Sequence, residues 1–151
     1  MLKNYRLGFD LWGLILFLIT MVPTFVWMAV PPEGDVLSAE SVTPTIDAIS
    51  FILQVLFVAI LCFVVRKDGN RKPSAAMTVA IVTSVVLYFA GWLLYYHTDK
   101  APIGVILLLT IPPCLAFILI AIARRNIPAL IPAVGFTVCH LIYATANFII
   151  S

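Results

Sequence analysis

Five long apolar stretches limit what this chain can become more than any other feature of its sequence. They run from about residue 11 to 30, 47 to 65, 74 to 96, 102 to 123 and 127 to 150. A bilayer core about 30 Å thick needs roughly 20 apolar residues in a helix, so each stretch is long enough to cross it. We therefore expect an all-α bundle of five transmembrane helices, formed by residues 1–151 as a single membrane domain.

The composition supports the same class of protein. Of the 151 residues, 63% are hydrophobic and 11% are charged, and the mean hydropathy is +1.12. A soluble domain has about 25% charged residues, more than twice this share. The first stretch is longer than the apolar core of a signal peptide, about 7–15 residues, which indicates a retained span. No basic stripe with interleaved aromatic residues is present, so nucleic acid is not an expected partner.

The placement of charge predicts the orientation of the bundle. The segments on the side of the N-terminus contain eight lysines and arginines, whereas the opposite side contains only Lys100. The eight are Lys3, Arg6, Arg66, Lys67, Arg71, Lys72, Arg124 and Arg125. Because cytoplasmic loops carry the excess of Lys and Arg, we expect the N-terminus in the cytoplasm and the C-terminus outside. The acidic first loop then lies outside as well.

The fifth apolar stretch carries a line of polar side chains. Thr137, His140, Tyr143 and Asn147 recur at spacings of three and four residues, which places them on one face of a helix. Lipid cannot hydrogen-bond such a face, so the face must contact protein or water. It is therefore the first candidate for a ligand site.

Polar and aromatic residues of the other spans fall at similar depths. With a rise of about 1.5 Å per residue, His140 lies roughly 15 Å from the outer end of its span, and Thr24, Gln54 and Tyr88 lie at about 10–12 Å. Trp92 follows Tyr88 by one helical turn on the same face. The inner halves of the spans are mostly aliphatic. This pattern predicts an outward-facing pocket lined by these side chains, with the acidic loop over its mouth.

Each candidate also has a purely structural interpretation. His140 either contacts a ligand or relays protons, or it hydrogen-bonds a neighbouring carbonyl or hydroxyl group. Asn147 and Gln54 either face the pocket or join helices. The aromatic residues of the third span form either an interfacial belt and packing surface or the wall of a pocket for a planar ligand: Tyr88, Trp92, Tyr95 and Tyr96. Both interpretations stay open for each of these residues.

The sequence contains no arrangement that predicts catalysis. It has no carboxylate pair, no Ser–His–acid set in the outer half and no glycine-rich phosphate loop. We expect no metal and no cofactor, because no second His, Cys pair or carboxylate lies one turn from His140. Cys62, Cys114 and Cys139 lie inside apolar stretches, as packing thiols do. All seven acidic residues lie at or beyond the span ends, which argues against a proton-coupled transporter.

Two resemblances to known proteins follow from particular stretches. NYRLGFDLWGLILFLITMVP, IPPCLAFILIAIARRN and TVCHLIYATANFII resemble a group of small bacterial five-span membrane proteins of uncharacterised activity. More distantly, residues 41–45 (Ser-Val-Thr-Pro-Thr) resemble the Ser-Trp-Thr-Pro-Pro start of the second helix in the translocator protein (TspO/MBR) family, with Val42 and Thr45 as departures. Residues 124–132 resemble the start of that family's fifth helix, and Trp92 is similar to a tryptophan of its third. The distant resemblance implies a pocket under the first loop for porphyrin-like or sterol-like molecules.

Two functional hypotheses are compatible with these observations. In the first, a multi-pass protein of the bacterial cytoplasmic membrane binds or translocates a small hydrophobic or aromatic molecule in the outward-facing pocket. In the second, an accessory protein for immunity, assembly or stress response packs its polar face against a membrane protein partner or against a second copy of itself. Neither protein is an enzyme, and the lipid bilayer surrounds both.

Overall fold

The computed structural model describes residues 2–67, 73–98 and 101–150. Within them, five helices are long and apolar enough to cross a membrane. They are α1 (Leu11–Ala29), α2 (Pro44–Phe63), α3 (Ala75–Tyr96), α4 (Ile103–Ala123) and α5 (Ile127–Ala144). The all-α five-helix bundle is thus confirmed, and these helices fit a multi-pass membrane protein. Arg71, Lys72 and Lys100, which contribute to the predicted orientation, lie outside the described residues.

Short elements complete the chain between and beside these helices. Two 3₁₀ turns span Leu2–Asn4 and Val36–Ser38, and α5 continues as a π-helical turn over Thr145–Ile149. The strands β1 (Tyr5–Leu7) and β2 (Val64–Arg66) pair antiparallel, with Arg6 opposite Val65. This small ladder joins the segment before α1 to the end of α2.

The second span begins earlier than the sequence predicts. Thr43 is the N-cap residue and Pro44 is the first residue of α2, whereas the apolar stretch predicts a start at about residue 47. Proline suits the first helical position because its missing N–H would have no partner there and its φ is already helical. Asp47 consequently lies inside the first turn of α2 and not at the boundary of the helix.

The bundle is organised around α4, the most buried of the five helices. The most extensive contacts are those of α2 with α5 and of α3 with α4, and α4 also packs against α5. Phe117 and Ile120 of α4 meet Phe57 and Leu61 of α2 in the core. Helix α4 runs without interruption through its buried proline pair, Pro112 and Pro113. Helix α1 has fewer contacts with its neighbours.

The two ends of the bundle differ in charge. The basic end contains Lys3, Arg6, Arg66, Lys67, Arg124 and Arg125, and the acidic end contains Glu33, Asp35, Glu40 and Asp47.

A buried ion pair closes the basic end. The Asp10 carboxylate caps α1 by accepting from the Gly13 N–H at 3.1 Å and also binds the Arg124 guanidinium through Nε and through Nη2, the latter at 2.6 Å. Asp10 is only 4% exposed. Asn126, the cap of α5, donates to the carbonyl groups of Ile60 and Val64 at 3.1 and 2.7 Å. Asp10 and Arg124 lie just outside the membrane spans, so the pair is compatible with the mostly aliphatic inner halves that the sequence predicts.

Candidate functional site

A cavity of about 440 Å³ lies in the half of the bundle nearer the acidic end, and we call it the larger cavity. All five helices contribute to its wall, at positions that repeat with helical spacing. The lining residues are Thr20, Met21, Thr24 and Trp27 of α1; Asp47, Ser50, Phe51 and Gln54 of α2; Tyr88 of α3; Pro113 and Phe117 of α4; and Phe136, His140 and Tyr143 of α5. Its volume falls in the range of small-molecule sites, about 300–1,000 Å³.

A second cavity of about 170 Å³, the smaller cavity, adjoins the first. Both are lined by the same five side chains: Thr24, Trp27, Tyr88, His140 and Tyr143. The smaller cavity extends the space toward the aromatic end of α3 and toward α4, where Trp92 and Thr110 complete its wall. These shared side chains are the point at which the two spaces meet.

His140 lies in a ladder of rings along α5. Its imidazole stacks on Phe136, with ring centroids 5.1 Å apart, and on Tyr143 at 6.1 Å, each at an interplanar angle of 16°. No hydrogen bond joins the imidazole to any residue in the described ranges. The hydrogen-bonded structural role considered from the sequence is therefore not the one adopted. The ring is held by stacking while its edge lines both cavities.

A polar stripe on α2 faces His140 across the cavity. Asp47, Ser50 and Gln54 are spaced by three and four residues and all line the larger cavity. Ser50 is 7% exposed, and its hydroxyl has no hydrogen-bond partner in the described part of the chain. The Gln54 amide donates to the Met21 sulfur at 3.3 Å, a weak acceptor. Asp47 and Ser50 were not predicted as site residues, although the spacing of the three was visible in the sequence.

Helix α1 and helix α3 meet at the opposite wall. The hydroxyl groups of Thr24 and Tyr88 are 2.8 Å apart and form a hydrogen bond. Thr20 donates to the Leu16 carbonyl of its own helix at 2.9 Å. Both threonines line the larger cavity, but their hydroxyl groups are already engaged. This wall is consequently less available to a ligand than the α2 stripe.

Two predicted site residues do not line either cavity. Thr137 donates to the Ala133 carbonyl of its own helix at 2.8 Å. Asn147 accepts from the Val42 N–H at 2.8 Å and donates to the Thr43 hydroxyl at 3.0 Å. Asn147 therefore ties the end of α5 to the start of α2, which is the helix-joining role and not the pocket role.

The first loop is attached to the bundle through Asp35. Its carboxylate accepts hydrogen bonds from the Trp27 indole at 2.9 Å, from the Leu37 N–H at 3.0 Å, and from the hydroxyl groups of Ser38 and Tyr95. Burial raises the pKa of a carboxyl group, but these donated bonds together hold the pKa of Asp35 below its ordinary value. The charged carboxylate thus fixes Trp27, a residue of both cavity walls, to the loop.

The aromatic residues of α3 are mostly buried inside the bundle. Trp92 is 7% exposed, and its ring contacts those of Tyr88, Tyr95 and Trp27 at centroid distances of 6.3, 5.7 and 6.0 Å. An interfacial belt would instead face lipid and water. The buried positions do not match an interfacial belt, but they match a packing surface. Tyr88 and Trp92 also match the wall of a pocket, because Tyr88 lines both cavities and Trp92 lines the smaller one.

The structure thus brings five of the predicted site residues to the larger cavity: His140, Tyr143, Gln54, Tyr88 and Thr24. Trp92 lines the smaller cavity, and Thr137 and Asn147 lie outside both. Among the described residues, no group of three or more His, Cys, Asp and Glu side chains is arranged to hold a metal ion. The arrangement is that of a mostly apolar space with a few unengaged polar groups. Comparison of the chain with protein-family models, with curated proteins and with solved structures gives no match.

Proposed function

We propose that this protein binds a small hydrophobic or aromatic molecule in the larger cavity. One observation carries the proposal: His140 and Ser50 line a mostly apolar cavity without a hydrogen bond to any described residue. Ser50 is buried, and buried polar groups in proteins nearly always have a partner. A ligand with a polar atom is the partner that these two side chains lack.

The dimensions of the site support a planar or branched molecule of drug-like size. The smaller cavity adds about 170 Å³ to the about 440 Å³ of the larger one. Aromatic side chains in the common wall provide flat apolar surfaces. We propose that the acidic end faces outward, as the excess of Lys and Arg at the other end favours, so that the ligand comes from outside the cytoplasmic membrane of a bacterium.

The accessory hypothesis requires a polar face of α5 that a partner can reach. The side chains exposed on α5 are instead apolar, among them Ile131, Val134 and Val138. Of its polar side chains, His140 and Tyr143 line the cavities, and Thr137 bonds to the Ala133 carbonyl within α5. Asn147, just after α5, bonds to the Thr43 hydroxyl. An apolar outer face is what lipid contact requires. The contacts therefore favour ligand binding over partner binding through this stripe.

Binding without chemistry is the activity that the site supports. A catalytic His normally contacts a nucleophile or an orienting carboxylate by a hydrogen bond. In the described chain the His140 imidazole stacks on two rings and makes no hydrogen bond to either kind of group.

A thermal-unfolding screen of the purified protein in detergent tests the proposal. Wild-type protein should gain thermal stability with at least one compound from a panel of lipids, porphyrins, haem and polycyclic aromatic molecules, because a bound ligand stabilises the folded state. Ser50→Leu fills the cavity and should abolish the gain. Thr137→Val, outside the cavity, is the matched control and should retain it.

His140→Phe removes the imidazole nitrogen atoms but keeps an aromatic ring at this position, so it tests the two contributions separately. The phenyl ring preserves the stack on Phe136 and Tyr143, so folding should be kept while the ligand-induced gain decreases. A wild-type protein that responds to no compound of the panel contradicts the proposed function. So does a gain that Ser50→Leu leaves unchanged.

A further inference from the structure

The charge in the wall of the larger cavity indicates the sign of the charge on the proposed ligand. Asp47 lines the cavity, and none of the lining residues is Lys or Arg. A carboxylate next to apolar surface is unfavourable unless a positive charge or hydrogen-bond donors compensate it. The lining thus has a negative charge that no lysine or arginine of the wall neutralises. His140, the histidine of the same wall, interacts electrostatically with Asp47.

The Asp47 carboxylate is held in place but not fully engaged. Its Oδ1 accepts a hydrogen bond from the Thr43 hydroxyl at 3.2 Å, and no other hydrogen bond or ion pair involves it among the described residues. It lies in the first turn of α2, where the helix dipole favours an anion. Three residues further along α2, Ser50 is 7% exposed and lines the same wall, and its hydroxyl also lacks a partner in those ranges. A charged acceptor and a buried hydroxyl therefore lie on one face of the cavity.

Aromatic rings form much of the remaining wall. They belong to all five helices and include Trp27, Phe51, Tyr88, Phe117, Phe136 and Tyr143. The faces of such rings attract ammonium and other organic cations, and a carboxylate with several rings is a recurrent way to bind them. An anionic ligand would meet the Asp47 carboxylate and the negative ring faces, with no lysine or arginine in the wall to offset them.

The electrostatic field of the acidic end also favours a positively charged ligand. Glu33, Asp35, Glu40 and Asp47 lie at this end, and its described residues include no Lys or Arg. A cleft surrounded by one sign of charge concentrates ligands of the opposite sign. A cation would consequently be enriched at the mouth of the cavity before it binds.

We infer that the cavity binds an organic cation, an aromatic or apolar body with an ammonium group or a delocalised positive charge, with Asp47 as its counter-ion. The aromatic body lies against the rings of the wall, and the positive charge lies near Asp47 and Ser50. This inference rests on the proposed ligand binding and makes it specific in charge.

Three matched probes test the charge requirement in detergent-purified protein. They are (2-naphthylmethyl)trimethylammonium, its uncharged carbon isostere 2-neopentylnaphthalene, and the anion 2-naphthylacetate. We expect the ammonium to bind most tightly by thermal shift and by quenching of tryptophan fluorescence. Asp47→Asn should weaken binding of the ammonium about tenfold, as expected for a contact with a charged group, and should leave the neutral isostere unchanged.

Glu40→Gln is the matched control, because it removes one negative charge from the same end at an exposed residue that does not line the cavity. It should leave the dissociation constant of the ammonium within about twofold at physiological salt, where exposed charges are screened. The Asn side chain can still accept the bond from Thr43, so folding of the Asp47 variant is expected to be normal.

The outcomes separate this inference from the proposed function. If the neutral isostere binds as tightly as the ammonium, or if Asp47→Asn weakens binding of both equally, the inferred preference for a cation is wrong although a ligand site exists. Tighter binding of the anion also overturns it, as does an equal stabilisation by sodium chloride at the same concentration. If none of the three probes and no compound of the wider panel binds, the proposed function itself fails.

Discussion

The ion pair at the basic end and the cavity wall formed by His140 and Ser50 differ in how their polar groups are bonded. At the basic end, Asp10 is bound by Arg124 and by the Gly13 N–H, and Asn126 uses both its oxygen and its nitrogen on backbone partners. Toward the acidic end, His140 and Ser50 face open space without a partner among the described residues.

This difference distinguishes a structural contact between helices from a candidate binding site. A buried polar group that is fully hydrogen-bonded holds helices in register, and it has no capacity left for a ligand. A polar group that packing holds in place without a hydrogen bond can still bond a ligand. His140, held by stacking on two rings, is such a group. The two ends therefore make different predictions for stability and for binding.

Removal of the ion pair should have the largest effect. Asp10→Ala leaves Arg124 without its counter-ion in a position that is 11% exposed, and we expect a loss of about 3–5 kcal/mol in the free energy of unfolding. Denaturation of the protein in mixed detergent micelles measures it. The double variant Asp10→Ala/Arg124→Ala should recover part of the loss, because no uncompensated charge remains.

Arg125→Ala is the matched control for this prediction, since Arg125 is the exposed neighbour of Arg124. Its effect should stay within about 0.5 kcal/mol. Equal losses in the Arg125 and Asp10 variants would mean that the basic end is not closed by this pair.

The packing of α3 on α4 shows whether the helices around the cavity are tightly packed near the acidic end. A methyl group added at Gly91 would lie 2.8 Å from Leu108 Cβ and 3.1 Å from its carbonyl carbon. Since Leu108 backbone cannot easily move, Gly91→Ala should destabilise the bundle by about 1–3 kcal/mol. Gly104, with nothing within 4 Å of the added atom, is the control, and Gly104→Ala should be neutral or stabilising.

The same denaturation measurement compares the two glycine variants. Equal stability of both would mean that α3 and α4 are not tightly packed near the acidic end. The cavity would then reflect general looseness and not a formed site.

The link between α5 and α2 should have an intermediate effect. Asn147→Ala removes the bonds to Val42 and Thr43, and we expect a loss of about 1–2 kcal/mol. Amide hydrogen exchange localises it: protection of the Val42 N–H should fall, whereas that of the Ala129 N–H, bonded to Asn126 at the other end, should not. Faster exchange at both amides would show that the two ends unfold together.

Acid should have the smallest effect and should act at the acidic end. The pKa of Asp35 is lowered in the folded protein, so its contribution to stability is present above its ordinary value of 3.8 and is lost as the pH falls through the lower folded value. The midpoint of thermal unfolding should therefore decrease below about pH 4. Asp35→Asn should reduce that decrease, and Glu33→Gln, at an exposed loop position, should leave it unchanged.

Much of the candidate site was predictable because helical spacing and depth follow from the chain alone. Residues such as Gln54, Tyr88 and His140 were expected at one level of the bundle, and they line one cavity. Asp47 and Ser50 were missed, since the start of α2 was placed three residues too late and Asp47 was assigned to the end of the span. Asn147 was assigned to the pocket, but its distance from the start of α2 depends on how two helices pack, which spacing cannot show.

The sequence alone determined the number of membrane helices, their approximate extents and the polar faces that avoid lipid. These features depend on hydrophobicity and on the 3.6-residue period, which are local properties. Only the tertiary structure decided which polar groups find partners. Asp10 and Arg124 are 114 residues apart and meet in an ion pair, whereas the His140 imidazole stacks on rings and makes no hydrogen bond to a described residue. Hydrogen bonding between helices depends on their rotation and offset, and packing of the whole bundle sets both.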